Sequence, residues 1–229
     1  MKRLIAIALL VVAACGRESP PPSPRPSASA QAPSESLAAA IRQYDRDVIE
    51  RLRRLPDTQL TPAKRAALAR GTTLSEPASA QELDGLAARI GKPLPPSYRE
   101  FLATTNGMMF EGALNQVVLL RAAEVVPLTD REYPRLRGWR AMPDAAVPGA
   151  REAGGPLPGA ALDHAWVISD EHDGDIYLIF PDRATSDGEW PVWFLGDKNP
   201  GAYGYASFRA MFEREREAAL RKLERRSPR

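Results

Sequence analysis

An α+β fold, a few-stranded antiparallel sheet with helices packed before and after it, is predicted by three features of the sequence. Apolar residues recur at helical spacing from Leu37 to about Asn106. Short apolar runs separated by turn residues then take over between Val117 and Leu195. A last amphipathic segment, Ser207 to Arg225, restores the helical spacing. Helices grouped at the two ends of a strand-rich middle belong to an α+β domain rather than to alternating βα units.

The chain starts differently. In MKRLIAIALLVVAAC, Lys2 and Arg3 precede an apolar stretch from Leu4 to Ala14 and then the single cysteine of the protein, Cys15. This is the pattern of an export signal over residues 1–14. The apolar run is about half of the ~20 residues that a spanning helix needs, so cleavage is expected rather than retention as an anchor. Val12-Ala13-Ala14-Cys15 resembles the lipobox of bacterial lipoproteins, which implies lipidation of Cys15. The other reading is an ordinary cut near Ala13 or Ala14 that leaves Cys15 as a free thiol. Multiple acyl chains on Cys15 would hold the protein at a membrane. With Gly16 and no Asp after the cysteine, the resemblance implies the outer membrane, facing the periplasm, in a Gram-negative cell. Residues 15–36, almost all Pro, Ser, Ala and charge after Cys15, cannot bury enough apolar surface to offset the entropy of ordering and read as a disordered linker.

Leu37, Ile41, Tyr44, Val48, Leu52 and Leu55 form one stripe on a helix ended by Pro56-Asp57, and Thr61-Pro62 opens a second helix to about Arg70. Together they make an N-terminal helical extension over residues 37–70. Ser79 and Glu82 then have the spacing of a capping box, and Gly91 supplies the left-handed stop. In KPLPPSYREFLATTNG, Pro95 and Pro96 start another helix, Tyr98, Phe101 and Leu102 face inward, and Asn106-Gly107 ends it. Strands are expected at Val117–Leu120, Ala165–Ile168, Ile176–Phe180 and Trp190–Leu195, with Asp173-Gly174 as a two-residue hairpin turn. The final helix is capped by Ser207 and turns Phe208, Met211, Phe212, Ala219 and Leu223 inward.

The ordered set Glu82, Leu86, Ile90-Gly91, Leu94-Pro95-Pro96, Tyr98, Phe101-Leu102 and Asn106-Gly107 resembles the opening signature of the SUKH superfamily, the Smi/Knr-like group of cell-wall regulators and bacterial immunity proteins. The resemblance continues to about Glu217 and places a SUKH-like domain at residues 79–226. A Pro-, Gly-, Ala- and Arg-rich insertion at about residues 133–159 departs from the pattern and leaves the strand count open. The resemblance implies a non-catalytic interaction domain that holds a protein in a groove beside its sheet. It also implies an immunity-type role, in which that partner is a toxin or another envelope protein.

Composition narrows the alternatives. Lys and Arg number 31 against 29 Asp and Glu, so no global field argues for nucleic acid. There is no G-x-S-x-G elbow and no glycine-rich phosphate loop, and the lone cysteine lies in the leader. The acidic knot Asp170, Glu171, His172, Asp173 and Asp175, near Asp163 and His164, has metal-binding residue types but not the EF-hand spacing, and a solvated hairpin accounts for it. No metal and no cofactor are expected. A carboxylate pair for glycan hydrolysis needs only spatial proximity and stays open as an alternative, as does an envelope-assembly lipoprotein with no toxin partner. Candidate partner contacts are Trp139 in the insertion, Trp190 near a strand end, Tyr203 and Tyr205 in the exposed turn PGAYGY, and the acidic rim Asp170, Glu171, Asp173 and Asp175. For Trp166 and Trp193 core filling is an equal reading.

Overall fold

The structure, a computed structural model, describes residues 35–131, 159–196 and 202–226, together with Tyr133, Gly138, Arg140 and Leu157. The leader with Cys15, most of the linker and most of the insertion with Trp139 lie outside the described residues.

Helix α1 (Leu37–Leu52) begins where the Ser36 hydroxyl accepts from the Ala39 N–H, and its stripe is buried along its whole length. It is shorter than the periodicity predicts. Arg53 to Leu55 leave the helix in a turn, because the residue before Pro56 is biased away from helical geometry. Helix α2 (Pro62–Arg70) has Thr61 as its N-cap and Gly71, at φ 74°, as its stop. In α3 (Ala80–Ile90) both halves of the capping box form. Helix α4 (Pro96–Thr104) starts on Pro96 and ends at Thr105.

The halt after α4 has a physical cause. The Asn106 carboxamide donates to Glu82 Oε1 at 2.9 Å and accepts from the Ala122 N–H at 2.7 Å, so one side chain ties three segments together. Gly107 has φ +91°, and a Cβ there would lie 2.8 Å from the Leu119 carbonyl oxygen. Only glycine permits both that dihedral and that approach.

Two strands follow, β1 (Met108–Glu111) and β2 (Gln116–Leu119), paired antiparallel with Met108 opposite Leu119. Five more, β3 (Val126–Pro127), β4 (Trp166–Val167), β5 (Ile176–Ile179), β6 (Val192–Leu195) and β7 (Ala202–Tyr205), form an antiparallel sheet in that order. The expected single sheet is therefore two. They are joined where the chain leaving β4 meets β2: the Leu120 N–H donates to the Ile168 carbonyl at 2.9 Å, and the Asp170 N–H to the Val118 carbonyl at 2.8 Å. The Asp173-Gly174 turn forms as predicted, with φ 58° and 84° at its two central residues. PGAYGY is a correction: its Ala202–Tyr205 portion is the edge strand β7 and not a turn.

Helix α5 (Phe208–Arg226), with the Ser207 hydroxyl accepting from the Ala210 N–H, closes the unit. Tyr44 of α1, Phe110 of β1 and Phe212 of α5 meet at centroid separations of 5.5–5.7 Å. Phe101 of α4 and Phe208 of α5 lie 4.6 Å apart. The first and last helices thus share one core with the sheet.

Candidate functional site

Cross-strand register creates the floor of a cleft. Tyr177 on β5 stands opposite Phe194 on β6, and Phe194 opposite Tyr203 on β7. Their rings form a ladder with centroid separations of 5.1 and 6.3 Å. Helix α5 makes one wall through Glu213, Glu217 and Arg221, and the loop after β1 makes another through Ala113 and Leu114. The space between them is about 810 Å³.

The inner end of the cleft is polar and ordered. Glu215 is buried and accepts from the Tyr205 hydroxyl at 2.6 Å and from the Ala113 N–H at 2.7 Å. The Tyr177 hydroxyl is bonded to the same carboxylate; burial first, and then the Glu215 charge, push its pKa well above the ordinary tyrosine value. Beside it lies a second buried charge group. Glu111 meets Lys64 Nζ at 3.0 Å and Lys222 Nζ at 3.6 Å, while its carbonyl accepts from the Tyr44 hydroxyl at 2.8 Å. Burial lowers the Lys222 pKa, and Glu111 opposes that shift. The Lys222 ammonium also donates to the Gly112 carbonyl at 2.6 Å, which anchors the loop that carries Leu114. Glu215 is thus held by hydrogen bonds, and Glu111, Lys64 and Lys222 by ion pairing, as burial demands.

At the mouth the surface is apolar. Among the described residues three large hydrophobic side chains are exposed, Leu114 (43%), Tyr203 (43%) and Val118 (36%). Leu114 and Tyr203 both border this cleft.

The residues singled out from the sequence divide accordingly. Tyr203 is exposed at the cleft. Tyr205 is a correction: it is buried, with its hydroxyl committed to Glu215. Trp190 is likewise buried rather than an exposed anchor, and Trp193, opposite Gly204, fills the core. The acidic knot does not form a continuous rim. Asp170 Oδ1 accepts from the Val118 N–H at 2.6 Å, and Asp175, buried, is bonded to the Asn115 carboxamide; both fasten the β1–β2 hairpin to the main sheet. Desolvation raises the pKa of each carboxyl, opposed by those same bonds. Glu171 and Asp173 alone of the four carboxylates are exposed. His164 turns to Asp182, at 3.2 Å, away from the knot. Among the described residues no cluster of three His, Cys, Asp or Glu side chains is placed to hold a metal ion.

The model of the SMI1/KNR4 family (SUKH-1) matches residues 77–214, more than half of the chain and the whole sheet with its aromatic floor. The chain belongs to the SMI1/KNR4 family. No curated protein matches it. Within this SUKH-1 domain the signature residues are structural: Glu82, Asn106 and Gly107 join α3, α4 and the first hairpin. The cleft residues Leu114, Phe194 and Glu215 are not among the contacts that the sequence suggests. For Glu215 a signal exists, since it falls on the apolar stripe of Met211, Phe212 and Ala219, where an unpaired charge would be costly. Leu114 and Phe194 carry no such mark.

Proposed function

We propose that this SUKH-1 protein is a non-catalytic, membrane-tethered binding module of immunity type, which holds a segment of a toxin or another envelope protein in the cleft between β5–β7 and α5. The observation that carries the reading is the coincidence of two of the three large apolar side chains exposed among the described residues, Leu114 and Tyr203, at the mouth of one cleft with an aromatic floor. Exposed apolar groups gathered over a concave site are what an interface core requires, and aromatic anchors supply most of the energy at such sites. The family supports protein binding as the class of activity. Lipid on Cys15 would place the domain at the membrane from which an envelope-acting toxin approaches.

The test is capture from envelope extract by the full chain, compared with the L114D/Y203D variant and with V118D, which alters the third exposed apolar side chain away from the cleft. The expected result is a specific partner retained by the parent chain and by V118D but lost, by about tenfold or more, from the cleft variant. Equal retention by all three proteins would refute the cleft as the site. For the tether, a labelled fatty acid should be incorporated by the parent chain and not by C15S.

A further inference from the structure

Helices α1 and α5 run side by side in the same direction. At their starts the Arg209 guanidinium donates to the Glu35 carbonyl at 3.1 Å, and at their ends Arg51 Nε meets Glu224 at 3.4 Å. Helix α2 joins the second end, because Lys64 and Lys222 share Glu111. This end of the unit collects the segments 50–65 and 221–226, which together hold nine basic residues and three acidic ones. The chain from Glu35 to Arg226 contains 26 basic and 28 acidic residues, so the cluster is a segregation of charge and not a general excess.

Part of the cluster is used internally. Lys64 and Lys222 offset the buried Glu111, Arg51 pairs with Asp47 and Glu224, Arg54 with Glu50, and Arg221 with Glu217. Arg53, Arg65, Arg225 and Arg226 are exposed and have no carboxylate partner among the described residues. The two helix C-termini here, those of α1 and α5, each carry only about half a negative charge. Four guanidinium groups exceed what they need.

We propose that this end of the domain is a docking surface for anionic phospholipid headgroups. Guanidinium groups suit phosphate because they present paired donors in a plane, and each basic residue held at an anionic bilayer surface strengthens binding by roughly fivefold. The inference rests on the tethered reading given above, which puts a bilayer within reach. The Lys222 ammonium, within this cluster, also bonds the loop that carries Leu114. A bilayer at this end would therefore hold the mouth of the cleft close to the membrane surface.

The experiment is co-sedimentation of residues 15–229 carrying C15S, so that neither the apolar leader nor an acyl chain contributes. The vesicles are phosphatidylcholine with or without about one third phosphatidylglycerol. The variants are R53E/R225E/R226E, the milder R53Q/R225Q/R226Q, and the cleft variant L114D/Y203D. We expect binding to anionic vesicles at about 0.1 M salt, at least tenfold weaker on neutral vesicles and lost at about 0.5 M salt. The charge-reversed protein should bind at least tenfold less tightly, the glutamine set should fall between, and the cleft variant should match the parent. Equal binding to both vesicle types, parent-like binding by the two arginine variants, or capture by soluble heparin with no vesicle binding would each overturn the proposal. Since C15S removes the lipid from every arm, failure here is separable from failure of the tether, and the cleft variant separates it from failure of partner binding.

Discussion

Glu82 shows how much one exposed side chain can organise. Its Oε2 accepts from the Ser79 N–H and hydroxyl, both at 2.8 Å, and its Oε1 accepts from Asn106, so the start of α3 and the end of α4 are held by the same carboxylate. The Ser79 backbone bond first, and then the Ser79 hydroxyl, lower its pKa below the ordinary glutamate value. A carboxyl whose pKa is lowered by folding contributes stability above its unfolded value and loses it as pH falls through the folded one. Melting curves of the parent and of E82Q should therefore differ at neutral pH, with the parent more stable. The two should converge as the pH drops through and below the usual glutamate range. A gap that stays constant across that range would show that ionisation of Glu82 is not the source. This residue was readable from the sequence as half of a capping box. Its bond to Asn106 was not, because that contact depends on how α3 and α4 cross.

At the scale of elements, the helices were read well and the strands less so, for reasons that follow from burial. A helix with one buried face leaves a 3.6-residue pattern, as Leu37, Ile41, Tyr44 and Val48 do. Strand β1, Met-Met-Phe-Glu, is buried at all four positions, so it has no alternation to detect. Gly201, Ala202 and Gly204 have turn chemistry, which conceals strand β7 in the sequence. In the sheet, Gly204 stands opposite the bulky, fully buried Trp193, a place where a small residue suits close packing. The cleft was illegible for a related reason: its floor exists only once β5, β6 and β7 are in register.

The elements α2, β1 and α5 are themselves joined by charge. Glu111 of β1 is buried between Lys64 and Lys222. Removing its charge leaves two ammonium groups facing each other in a poorly solvated space, which costs more than the lost attraction alone. The expected effect of E111Q is a loss of about 3–5 kcal/mol in urea unfolding. K222M should be milder, because Lys64 still balances Glu111. A smaller loss for E111Q than for K222M would contradict this account.

For the molecule as a whole, the domain beginning at Glu35 depends on a contact between its two ends, since α1 packs against α5 through Tyr44 and Phe212. A chain ending at Ala206 would expose Tyr44, Phe110 and Phe101 at once. Such a truncation should show no cooperative thermal transition, and near-ultraviolet circular dichroism would be the measurement. A sharp transition close to that of the full chain would show that α5 is peripheral.

The bond between Arg209 and Glu35 spans 174 positions of sequence. Closing contacts of that separation form late, because the entropy of bringing distant segments together must be overcome first. Until α5 has been made, the face of Tyr44 that meets Phe212 and the face of Phe101 that meets Phe208 stay uncovered. A core completed by a segment so far along the sequence stays open to chaperones and proteases until that segment arrives.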